Sequence, residues 1–184
     1  MAPSFSVWET SFGQYIPGLQ ALVHILQKAE TTATPELKSS LPEARLAPDM
    51  LPLKFQVQFL SNVVFKTRER LTGGKTDGLK TEGNETTLAD LIVTAEKTLE
   101  LAKSVTPEEV DDAADREAQI MMGKRGTITT HGRGYVFGYG IPNFYFHLST
   151  AYAILRKEGI EIGKSDYLAP FVSPFGEPVP DAAS

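Results

Sequence analysis

The residues from Met50 to about Leu71 constrain the fold more than any other stretch of the chain. Leu53, Val57, Leu60 and Val64 recur at helical spacing, and Phe55, Phe59 and Val63 widen the stripe. An apolar band this broad implies burial on more than one side, as in the middle of a helix bundle. The end of the stretch is basic, with Lys66, Arg68 and Arg70 complementing the helix dipole, and Gly73-Gly74 stops it. Gln56 sits within the apolar band, where a polar side chain needs a partner.

Three further stretches carry the same periodicity. Between Phe5 and about Glu30, Val7, Trp8, Phe12, Ile16, Leu19, Leu22, Val23, Ile25 and Leu26 form a helical stripe, with a kink expected at Pro17. His24 falls at the edge of that stripe and reads as a helix histidine at the core boundary. Thr34-Pro35-Glu36 has the form of a cap followed by proline in the first turn, and Asp49 is placed to cap the second long helix, with Pro52 inside its first turn. Thr87-Leu-Ala-Asp90 reads as a capping box for a third helix through Leu91, Ile92, Ala95, Leu99 and Ala102. Ile141 to Arg156 is the fourth, aromatic-rich and ended by Gly159, with a break expected at Pro142. Before it, Glu117 to Thr130 reads as two short strands around a glycine-bounded turn. The expected fold is all-α, a four-helix bundle with a small β-hairpin before its last helix. It forms a single domain over residues 1–169, followed by a loosely ordered, Pro-rich tail over 170–184.

Composition removes several function classes. A chain of 184 residues can bury a core without staples, and it contains no cysteine, so disulfides, thiolate metal sites and cysteine nucleophiles are all excluded. The net charge of -5 argues against nucleic-acid binding, which needs a basic face. The first residues lack a basic, apolar leader pattern, and no apolar run approaches the roughly 18 residues that span a bilayer. No membrane association and a cytoplasmic location are therefore expected.

The polar residues of the fourth helix carry the functional question. Asn143 and His147 stand four apart and share a face with Thr150. Such a column inside an apolar helix is either a satisfied core network or a site. In the functional reading His147 is the acid-base residue, while Asn143, Gln56 and Thr150 contact a small ligand. Other motifs give less. Asp111, Asp112 and Asp115 lack the alternating spacing and late glutamate of a calcium loop and read as a solvated surface. The glycines of His131-Gly-Arg-Gly-Tyr-Val-Phe-Gly138 are spaced one residue too widely for a dinucleotide fingerprint and serve a turn and close packing instead. Tight metal binding is not expected, because among Gln56, Asn143 and His147 only the imidazole is a strong ligand.

Leu46-Ala-Pro-Asp-Met-Leu-Pro-Leu53, Pro142-Asn-Phe-Tyr-Phe-His147 and Thr150-Ala-Tyr-Ala-Ile-Leu-Arg156 together resemble a domain-of-unknown-function branch of the DinB/YfiT-like four-helix-bundle superfamily. The resemblance implies an up-down-down-up bundle, often dimeric, among relatives assigned as metalloenzymes, some of them thiol-dependent S-transferases. It implies metal ligands from one histidine on the second helix and a His-x-x-x-His pair on the last. In this chain those positions match Gln56, Asn143 and His147, so two of the three ligands are amides. The expected function is small-molecule binding between helices two and four, with His147 as acid-base residue and no tightly held cofactor. One alternative is a metal-dependent transferase or hydrolase whose divalent ion is completed by water or Asp49. The other is a non-catalytic homodimer whose aromatic helix makes the interface.

Overall fold

The computed structural model describes residues 6–74 and 83–176. Four long helices form the bundle: α1 (Phe12–Thr32), α2 (Leu53–Thr72), α3 (Leu88–Ser104) and α4 (Ile141–Lys157). Between α3 and α4 the strands β1 (Glu117–Met121) and β2 (Thr127–His131) pair antiparallel, and α5 (Lys164–Val172) follows the last long helix. Among the described residues no helix is long and apolar enough to cross a membrane.

Contacts between the helices give each its direction. Trp8 Nε1 donates to the Val105 carbonyl (2.7 Å) and Gln27 Nε2 to Glu96 Oε1 (3.0 Å), so α1 and α3 run antiparallel. The Tyr15 ring lies 4.7 Å from that of Phe144, and Gly18 faces Phe144 and Leu148, so α1 and α4 run the same way. Gln56 meets His147 while Arg70 meets Tyr135, which makes α2 antiparallel to α4. The order is up-down-down-up, with α1 and α2 on one diagonal. Tyr15 Oη closes that diagonal through the core, donating to Thr67 Oγ1 (3.1 Å), whose own proton goes to the Val63 carbonyl (2.8 Å). Burial pushes the ionisation of the Tyr15 hydroxyl far above its ordinary range.

Local signals set most helix ends. Thr87 and Asp90 form the expected capping box on α3, Thr34 caps the short helix Pro35–Ser40, and Gly73 takes a left-handed φ of 66° at the end of α2. Other ends differ from the sequence expectation. The first helix is broken at Ser11 (φ -117°, ψ -85°) into Val7–Thr10 and α1, and α1 then runs through Pro17, which leaves the Gly13 carbonyl without its i+4 donor. Asp49 caps nothing. It is exposed in a turn, and extended Pro52 occupies the cap position because the Leu53 N–H is taken by the Ala44 carbonyl (2.9 Å). Glu85 is buried and accepts from Gln58 Nε2 (2.6 Å) and Thr94 Oγ1 (2.8 Å); residues 75–82, which precede it, lie outside the described residues.

The connection into α4 is helical without a break. The short helix Gly132–Tyr135 starts directly after β2, capped by His131 Nδ1, and a π-helical turn over Val136–Gly140 joins it to α4. The expected break at Pro142 is thus replaced by a widened turn just before it. A proline there leaves the Gly138 carbonyl without its usual donor, and the Ile141 N–H instead reaches back five residues to the Val136 carbonyl. Gly132 allows the strand-helix corner, since a Cβ would collide with the Ala113 carbonyl.

His24 is not a core-edge residue. It points outward, with its side chain 52% exposed, and Nε2 lies 2.9 Å from Asp166 Oδ1. Lys28 Nζ reaches the same oxygen at 3.0 Å, so α5 is held on α1 by one carboxylate. That carboxylate accepts from the Gly163 N–H and then from His24 and Lys28, which together hold it well below the usual carboxylate range. α5 continues through Pro170 to Val172, past residue 169, and the segment 177–184 of the expected tail lies outside the described residues.

Candidate functional site

The buried polar group expected on α2 and the one expected on α4 meet. Gln56, 2% exposed, donates from Nε2 to the Leu51 carbonyl at the entrance of its helix (2.8 Å). That leaves the amide oxygen facing across the seam, where the Nδ1–H of His147 donates to Oε1 at 2.7 Å. This bond assigns the proton to Nδ1 and leaves the lone pair on Nε2, which has no protein partner among the described residues.

Aromatic rings enclose the imidazole. Its centroid lies 4.5 Å from Phe59 in a tilted stack, 5.2 Å from Phe146 edge-on and 6.1 Å from Phe55. His147 is 6% exposed, and desolvation lowers its pKa from 6.5 to about 4. The ring is therefore neutral at pH 7. Replacing Gln56 by Leu would strand the Nδ1–H in this apolar cage, and unfolding by denaturant should show a loss of about 1–3 kcal/mol. A Gln56→Leu protein as stable as the parent would mean that the pair has no structural weight.

The remaining predicted residues are placed differently. Thr150 is buried, but its hydroxyl donates back to the Phe146 carbonyl of its own helix (2.7 Å). Asn143 is half-buried and makes no hydrogen bond with the described residues. Tyr145 donates to the Gln14 carbonyl (3.4 Å), and Tyr152 packs edge-on against Tyr167 at 5.9 Å.

These donors suit a divalent metal poorly. Gln56 Oε1 is already accepting from His147, and a second amide and one imidazole nitrogen are weak company for zinc. Among the described residues no group of three or more histidine and carboxylate side chains could hold a metal ion. The acidic run Asp111, Asp112 and Asp115 does other work, since Asp111 Oδ1 accepts the Trp8 N–H at 2.8 Å.

A cleft of about 240 Å³ opens between α2, the helical lead-in to α4 and β1, and none of its described lining residues belongs to α4 itself. Phe59, Asn62, Val63, Lys66 and Arg70 of α2 form one wall, with Tyr135 and Tyr139 of the helical lead-in and Met121 of β1 opposite. Phe59 is common to the cleft and to the stack on His147. Sequence reasoning assigned Lys66 and Arg70 only to the helix dipole. Lys66 stands seven residues from Phe59 and three from Val63, and Arg70 seven from Val63 and four from Lys66, which was the signal that they share a wall.

The chain matches a family model described as a domain of unknown function (DUF1993) over residues 7–168. Among the curated proteins none matches. A crystal structure of a DinB family member protein from Shewanella denitrificans is similar, with 32% sequence identity and a TM-score of 0.75. The match covers 96% of this chain and 95% of that one. With the up-down-down-up order and the hairpin before α4, these matches make the chain a member of the DUF1993 family, a DinB-like branch of helical bundles.

Proposed function

We propose that this protein binds a small organic molecule in the seam between α2 and α4, and that His147 meets the ligand as a neutral hydrogen-bond acceptor and base. The Gln56–His147 hydrogen bond carries this reading. It commits one ring nitrogen to the fold and leaves the other with a free lone pair. The cleft on the far side of Phe59 provides volume next to that seam, with Phe59 shared between the cleft and the stack on His147. The lowered pKa supports the base half of an acid-base role over the acid half, because the ring holds no second proton at neutral pH.

Acylation by diethyl pyrocarbonate at pH 5 tests this. Ordinary histidines are about 97% protonated there and unreactive, whereas an imidazole titrating at about 4 stays roughly 90% neutral. Peptide mapping should find the carbethoxy group on His147 ahead of His24 and His131. Modification of those two with His147 untouched would show that Nε2 is closed to ligands, and the proposal would fail.

Leu51 and Phe146, 48% and 57% exposed, flank the pair and favour a second reading, in which another copy of the chain covers this rim. Sedimentation of the parent and of Phe146→Ser would decide it, a dimer that dissociates in the variant being the supporting result.

A further inference from the structure

We infer that the cleft selects a small organic acid: a flat apolar body with one carboxylate. This goes beyond the reading above and does not depend on it, since His147 does not line the cleft. The lining divides by chemistry. Phe59, Val63, Met121 and Tyr139 offer apolar and aromatic surface, while Lys66 and Arg70 bring two cations, and no acidic side chain among the described residues lines the cavity.

Arg70 is held as a rigid anion receptor. Nε donates to the Gln119 carbonyl (2.8 Å), Nη1 to the Lys66 carbonyl (3.1 Å), and the guanidinium lies 4.7 Å from the Tyr135 ring centroid. Three constraints on a planar group fix its orientation before a ligand arrives, which reduces the entropy lost on binding. The Nη2 hydrogens remain uncommitted among the described residues. Lys66, four residues before Arg70, pairs with Glu69 at 2.5 Å, so an incoming carboxylate competes with an ion pair that is partly exposed and worth little. In a chain of net charge -5, a local pair of cations beside aromatic walls marks the one sign of ligand charge this cleft accommodates.

Volume limits the ligand's size. About 240 Å³ equals roughly eight waters at ~30 Å³ each, enough for a single ring with one acidic group and too little for a nucleotide. The buried Tyr135 Oη has no hydrogen-bond partner among the described residues, although the Thr67 hydroxyl is close enough to influence its ionisation.

Benzoate is the probe, with benzyl alcohol as its uncharged counterpart, both titrated into the full chain by amide chemical-shift mapping. Benzoate should bind with a Kd on the order of 1 mM, shifting the amides around Asn62 and Tyr139. Benzyl alcohol should bind at least tenfold more weakly. Arg70→Met should weaken benzoate at least tenfold, and Lys66→Met, which touches no hairpin contact, several-fold. Equal binding of acid and alcohol would overturn the carboxylate assignment while leaving the cleft standing. Absence of binding by both, or indifference to both cation substitutions, would overturn the site altogether. The acylation of His147 reports separately on the reading above.

Discussion

Gly18→Val is expected to destabilise the bundle by about 3 kcal/mol, lowering the Tm by roughly 10 °C in a chain of this size. Gly18 lies where α1 crosses α4, and a Cβ built there would overlap the edge of the Phe144 ring, with Cζ at 2.8 Å and Leu148 Cδ2 at 3.4 Å. Phe144 cannot retreat. It is fully buried and stacked against Tyr15 on the side away from solvent. Gly18→Ala meets the same ring but regains about 1 kcal/mol of helix propensity, so its net loss should be smaller. Combining Gly18→Ala with Phe144→Leu should recover part of the loss, giving a coupling energy that chemical denaturation can measure. A Gly18→Ala protein more stable than the parent would show that the two helices are not in this close contact.

The second large effect is on pH. Because the folded-state pKa of His147 is lowered to about 4 from 6.5, the unfolded chain binds its proton first as the solution is acidified. The sign follows directly. The neutral-ring contribution is complete above pH 6.5 and is lost as the pH falls towards 4. Between pH 7 and pH 4.5 the parent should lose on the order of 2 kcal/mol more than His147→Gln, whose amide does not titrate. Carboxylates common to both proteins cancel in the comparison. Parallel denaturation series at the two pH values measure it, and the Cε1–H resonance of His147 should titrate with a midpoint near 4. Identical pH dependence of the two proteins would contradict a buried neutral imidazole.

The four long helices, their capping residues and the hairpin are legible in the sequence because each depends on residues within a few positions of one another. An apolar stripe and a Thr-x-x-Asp cap report on hydrogen bonds that close inside one turn or one helix face. The same locality explains the misplacements. Asp49 has the chemistry of a cap, yet the Ala44 carbonyl and extended Pro52 set where α2 begins. His24 has the position of a core-edge residue, yet its partner Asp166 is 142 positions away on α5.

The candidate site divides along the same line. The grouping of Gln56, Asn143 and His147 is an expectation from their positions and the family resemblance; the structure joins Gln56 to His147 and gives Asn143 no hydrogen bond with the described residues. The sequence by itself could determine which faces are apolar and that a buried amide and imidazole need partners. Only the tertiary structure decided that Gln56 and His147, 91 positions apart, satisfy each other, while Thr150 turns back to its own helix. Likewise the cleft draws on α2, β1 and the π-helical lead-in to α4, and no single window of sequence contains its walls. The physical reason is geometric. Periodicity states which side of a helix is buried, but the crossing of one helix over another sets which atoms come within hydrogen-bonding distance.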